Sequence, residues 1–115
     1  MKKLQNDFTT PEQSKRLLEL GVPANSANCY YDGLKILRVR SEAWMLEPNF
    51  FKKYSYFTPC WSVGRMIQVY FISKGVDLLS LQFKKFQIEN SADYLAALIE
   101  ENIKDLDFSK LEEFV

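Results

Sequence analysis

Cys60, set between Pro59 and Trp61, is the residue of this chain best placed to do chemistry. Thr58-Pro59 carries the N-cap-plus-proline signature of a helix start. A thiol in the first turn of a helix is drawn toward thiolate by free N–H groups and the helix dipole. Nothing else in the composition completes such a site. The chain contains no His, which removes the commonest general base, metal ligand and activator of a nucleophile. Cys29 lies too far along the chain to make a C-x-x-C pair. Buried, structural thiols are therefore expected at both positions.

Other catalytic signatures fail on spacing. Asp105-Leu106-Asp107-Phe108-Ser109 begins like a calcium loop, but Lys110 stands where the glycine belongs and no terminal Glu follows at the right distance. The glycines at 21, 33, 64 and 75 are isolated, so no phosphate-cradling loop exists. Glu100-Glu101 reads as a solvated helix face. No enzyme activity, cofactor or metal is expected.

Binding signals are stronger. Lys52, Lys53, Tyr54, Lys84, Lys85 and Phe86 place cations among rings, the pattern of a candidate interaction surface. Residues Glu12 to Tyr31 can be laid on a helix-turn-helix, with Ala24 to Tyr31 as the second helix. That helix has no Lys or Arg, and a pI near 6.3 argues against a nucleic-acid partner. Nine Phe, six Tyr and two Trp exceed what one small core readily hides, so some rings are expected at a surface or an oligomer contact.

Charge is polarised although the net is zero. From Leu34 to Ile88, nine basic residues face three acidic ones, a net of +6. From Glu89 to Val115, eight acidic residues face two basic ones, a net of −6. The acidic C-terminal helix is thus expected to dock on the basic middle segment or its adjoining sheet.

These groups need elements to position them, and 115 residues suffice for one globular domain, 1–115. Thr10-Pro11-Glu12-Gln13 opens a first helix through a capping box, and Gly21 closes it. Asn25 to Tyr31 suggests a short helical turn. Leu34 to Arg40 reads as a strand, and Phe50 to Phe57 as a short edge strand. A second helix is expected from Pro59 to Lys74, apolar almost all round and hence central, with Trp61 buried and Arg65 paired to a carboxylate or a helix-end carbonyl. Leu78 to Ile88 returns to strand character. Asn90 or Ser91 then caps a third helix bearing Leu95, Leu98, Ile99 and Ile103 on one face. Ser109 to Glu112 is a further capping box. The fold class is α+β: three main helices with a small antiparallel sheet from the Leu34–Arg40 and Leu78–Ile88 segments.

The N-terminus lacks the apolar stretch of a secretory signal, and the Phe57–Ile72 region is broken by Arg65 and Gln68, so a cytoplasmic protein with free thiols and no membrane partner is expected. Phe8-Thr9-Thr10-Pro11-Glu12-Gln13-Ser14-Lys15-Arg16-Leu17-Leu18-Glu19-Leu20-Gly21-Val22-Pro23, then Ala24 to Tyr31 and Pro59-Cys60-Trp61-Ser62-Val63-Gly64-Arg65, resemble a family of small uncharacterised proteins of gut Bacteroidetes phages and mobile elements. The resemblance covers the first third and the middle helix, and implies a mobile-element context without catalytic residues. The functional expectation is a non-catalytic protein-interaction or accessory module, acting on a protein partner or by self-association. A helix-turn-helix-like nucleic-acid binder is the alternative, and an enzyme comes third.

Overall fold

Local chemistry places the first helix where its residues predict. In a computed structural model describing residues 7–75 and 91–113, α1 spans Pro11–Glu19. Its capping box is complete: the Thr10 hydroxyl accepts from the Gln13 N–H at 3.1 Å, and the Gln13 side chain accepts from the Thr10 N–H at 3.0 Å. Leu20 ends the helix, and Gly21 follows with φ 105, a conformation a Cβ would strain.

The chain then departs from the expected helical turn. Ala24–Ser26 makes a single 3-10 turn, after which Cys29–Tyr31 extends as strand β1. Strand β2 is Leu37–Val39 and β3 is Thr58–Cys60, all antiparallel in the order β2-β1-β3. The expected Leu34–Arg40 strand is therefore shortened at its start. Asp32 causes this: its carboxylate accepts from the N–H groups of Leu34 and Ile36 and holds Arg38 Nε at 2.6 Å. Lys35 takes φ 64 in the resulting tight turn.

Two further expectations are corrected. Phe50–Phe57 is not an edge strand; Phe50–Lys53 forms the short helix α2. Phe50 is buried there against the rings of Tyr30, Trp44, Tyr54 and Phe57. Nor does the central helix start at Pro59. Thr58-Pro59-Cys60 is strand, with Cys60 opposite Cys29, and helix α3 runs Val63–Lys74. Its N-cap is Ser62, whose hydroxyl accepts from the Arg65 N–H at 3.2 Å, and Gly75 terminates it with φ 84.

Helix α3 is the centre of the core, as its all-round apolarity requires. Met66, Ile67, Val69 and Tyr70 are buried, and Trp61 just before it is wholly inaccessible. Arg65 Nη1 reaches the carbonyl of Ser26, the last residue of the 3-10 turn, at 3.5 Å. Helix α4, Ala92–Glu101, is capped by Ser91 and packs on α3 and α1 through buried Ala92, Leu95 and Ile99. Burial of Leu95 and Ile99 is worth about 1.5–3 kcal/mol each, so packing dominates this docking.

The expected docking of α4 on the middle segment holds through α3, but its ion pair does not go to the basic residues counted there. Glu100 pairs with Arg16 of α1 at 2.7 Å in an exposed position, and Asp93 accepts from Gln13. The chain continues through 3-10 turns at Ile103–Asp105 and Phe108–Glu113, with Leu111 buried. Asp107 holds this last turn by accepting from both the N–H and hydroxyl of Ser109, and the Glu112 side chain of the expected Ser109 capping box lies outside what is described. The architecture is α+β, with a small antiparallel sheet and helices packed beside it. The Leu78–Ile88 strand expectation lies outside the described residues. No described helix is long and apolar enough to cross a membrane.

Candidate functional site

The two thiols face each other across the β1–β3 ladder, and both are buried and free. Cys60 sits in a closed polar nest. Its Sγ donates to the Thr9 carbonyl at 3.4 Å, and the Thr9 hydroxyl lies 3.7 Å from that sulfur and 2.8 Å from Ser14 Oγ. The Tyr31 hydroxyl donates to the same Thr9 carbonyl at 2.7 Å. Burial pushes the Cys60 thiol up, outweighing the opposing pull of the Thr9 and Tyr31 hydroxyls. Cys29 is pushed up to about 12, chiefly by burial and then by the neighbouring Cys60. A strand position leaves Cys60 without the helix dipole that its sequence neighbours suggest, so it is an inert structural thiol.

A pH dependence follows. A thiol raised from 9.0 to about 12 keeps its proton in the folded state while the unfolded chain loses it. Stability conferred by the neutral thiol is thus fully present below the unfolded value and falls as pH rises toward 12. Urea midpoints should decline through this window in the wild type, and decline less steeply in Cys29→Ala. Ellman's reagent should label neither thiol at neutral pH until urea is added.

The accessible chemistry lies elsewhere on the surface. Two adjoining clefts, of about 510 and 450 Å³, share Leu18 of α1, Ser55, Phe57 and Pro59. All four prolines of the chain line them: Pro23, Pro48 and Pro59 in the larger, Pro11 and Pro59 in the smaller. Phe51 adds an apolar wall to the first cleft. The charged lining residues are Lys15, Lys35 and Lys52 against Glu12, all exposed. The result is an apolar groove with a net cationic rim. The prolines fix φ at four positions of the lining and leave no N–H donor there.

The expected interaction surface is only partly brought together. Lys52 lines the larger cleft. Lys53, next to it on α2, places Nζ 5.9 Å from the centre of the Tyr54 ring. Lys84, Lys85 and Phe86 lie outside the described residues. Lys15, Lys35 and the proline lining were not legible as a site, because they converge from four separate segments. With a three-residue turn and a strand in place of its second helix, the helix-turn-helix geometry over Glu12–Tyr31 is absent. Among the described residues no three His, Cys, Asp or Glu side chains cluster to hold a metal ion.

Compared with known proteins, the chain matches no family model, no curated protein and no solved structure.

Proposed function

We propose that this chain is a non-catalytic interaction module that holds an acidic, extended segment of a partner protein along its proline-lined groove. The observation that carries this reading is the groove itself, with Leu18, Phe51 and Phe57 among its apolar walls and Lys15, Lys35 and Lys52 at its rim. An extended peptide can bury alternate apolar side chains in such a cleft while its carboxylates meet the lysines. The resemblance to proteins of phages and mobile elements sets the cellular context of the proposal. The buried, proton-retaining thiols fit a binding role better than a catalytic one.

Replacement of exposed Ser55, which lines both clefts, by a photo-crosslinking residue tests this directly. Irradiation in the native host should capture a protein through an acidic segment, identified by mass spectrometry of the crosslinked peptide. Capture should be lost in a Lys15→Glu/Lys52→Glu variant, whose exposed changes leave the core untouched. Capture of nucleic acid instead, with binding that falls steeply as salt rises and is lost in Lys52→Ala/Lys53→Ala, establishes the nucleic-acid reading in its place. Capture of neither refutes the groove as a docking site.

A further inference from the structure

The sheet has two edges, and they are treated differently. The β3 edge is covered: Thr9 N–H donates to the Trp61 carbonyl at 3.0 Å and Val63 N–H to the Asp7 carbonyl at 2.9 Å, while α1 packs alongside. Pro59 further removes the one outward donor of that strand. On the other side, no described segment covers β2, and the strand holds no proline; its one charged residue is Arg38. All three of its residues are exposed, with Val39 at 60%, and apolar Ile36 and Leu34 extend the patch along the hairpin. Natural sheets blunt such an edge with proline, a charged side chain or a covering segment.

Hydrogen-bond parity shows which groups are left over. Arg40 N–H bonds the Asn28 carbonyl and Asp32 N–H bonds the Ile36 carbonyl, each at 3.0 Å. In an antiparallel ladder these pairs alternate, so Arg38 with Tyr30 is the next bonded pair. The N–H and C=O groups of Leu37 and Val39 therefore point away from β1. Two outward residues spaced by two are self-complementary. A two-fold axis at Arg38 sets Leu37 against Val39 of a second copy and Val39 against its Leu37, and each pair exchanges two hydrogen bonds. The single charged side chain of β2 does not oppose this. Arg38 is neutralised by Asp32 at 2.6 Å, so the two arginines meet as parts of a charge-balanced quartet.

We infer that β2 pairs with β2 of a second copy of this chain, joining two three-stranded sheets into one antiparallel sheet. Exposed Val39 and Leu37 lie on the same face as Cys29 and Tyr31, their register partners, and are covered by the other copy's side chains in the joined sheet. This surface adjoins the proline-lined groove at the hairpin turn, where Lys35 lines the smaller cleft, but Leu37 and Val39 line neither cleft, so either assignment can fail alone.

Sedimentation of the full chain over micromolar to millimolar concentration should show a shift toward twice the 13.5 kDa monomer mass. Hydrogen exchange locates the contact: the Leu37 and Val39 amides should gain protection as concentration rises, while the Arg38 amide, bonded within the sheet, stays protected throughout. Val39→Pro removes an outward donor and no bond to β1, and should weaken dimerisation at least about tenfold, which is a 1.4 kcal/mol effect. Val39→Lys, which retains the amide but charges the edge, should act in the same direction if the proline variant folds poorly. Leu46→Lys, an equally exposed apolar site elsewhere, should dimerise as wild type does. A chain that stays monomeric up to millimolar concentration overturns the assignment, as does a dimer with Leu37 and Val39 amides indifferent to concentration.

Discussion

Trp61→Ala is expected to lower the unfolding free energy by about 3–5 kcal/mol, the range for truncating a large aromatic in a core. Trp61 is wholly buried, and it joins more of the fold than its ring area suggests. Its indole N–H donates to Ser26 Oγ at 2.9 Å, and that hydroxyl donates on to the Pro23 carbonyl at 2.7 Å. Its backbone N–H donates to the Thr9 hydroxyl and its carbonyl accepts from the Thr9 N–H. The ring therefore ties the 3-10 turn after α1 to the strand-to-helix junction, while the main chain holds residues 7–9 across it. Removal leaves a cavity in the buried cluster that also holds Leu17, Val22 and Ala27. Urea titration followed by circular dichroism measures the loss. Trp61→Phe separates the contributions: it retains most of the apolar filling and loses the Ser26 bond, so its cost should be clearly smaller. A loss under about 1 kcal/mol for the alanine variant would remove Trp61 from its central place.

How far such positions were legible depended on how local their determinants are. Helix α1 was readable because Thr10, Pro11 and Gln13 satisfy its first N–H groups within four residues of sequence. The end of α3 was readable because Gly75 alone supplies the left-handed residue a helix stop requires. The start of α3 misled for an instructive reason. Thr58-Pro59 has the residues of a cap, yet Pro59 is equally suited to an edge strand whose missing N–H faces away from its neighbour. Pairing of Cys60 with Cys29, 31 positions earlier, decides between these uses, and no local pattern contains it. Ser62, the actual cap, is equally ordinary in sequence.

Strand β1 shows the same dependence. Tyr30 and Tyr31 favour strand, but the run is short and follows Asn25-Ser26-Ala27-Asn28, and its extended form rests on partners at 37–39 and 58–60. Around Phe50 the error ran the other way, since rings favour strands in isolation. Here Phe50 and Tyr54, four apart, bring their rings to 5.4 Å on one side of a short helix, over Tyr30. The groove was the least legible feature. Pro11, Pro23, Pro48 and Pro59 read separately as helix starts and breaks, and their convergence is a property of the tertiary fold.

Arg40 carries the second large expected effect. It is the one charged side chain buried among the described residues, at 7% exposure, and it is held by carbonyls. Nε donates to the Met45 carbonyl at 2.7 Å, and Nη1 donates to those of Ala27 at 2.7 Å and Asn25 at 3.2 Å. The guanidinium carbon also lies 5.1 and 4.9 Å from the ring centres of Phe50 and Phe51. Burial lowers its pKa, with the charge of Arg65 acting in the same direction. The cation is nevertheless retained, because arginine stays protonated in proteins and its planar fork suits several acceptors at once. It thereby joins the 3-10 turn at Ala24–Ser26, the loop after β2 and the rings of α2. Arg40→Ala strips a donor from three carbonyls at about 1–3 kcal/mol for each that water cannot reach, and opens a void beneath Phe50. A net loss of about 3–4 kcal/mol is expected on these terms, read from urea titration. Arg40→Lys keeps the charge but replaces the planar fork with a point donor, so it should recover only a minority of that loss. Full recovery by lysine would mean that charge over the Phe50 and Phe51 rings, rather than the bonds to the carbonyls, holds this part of the fold together.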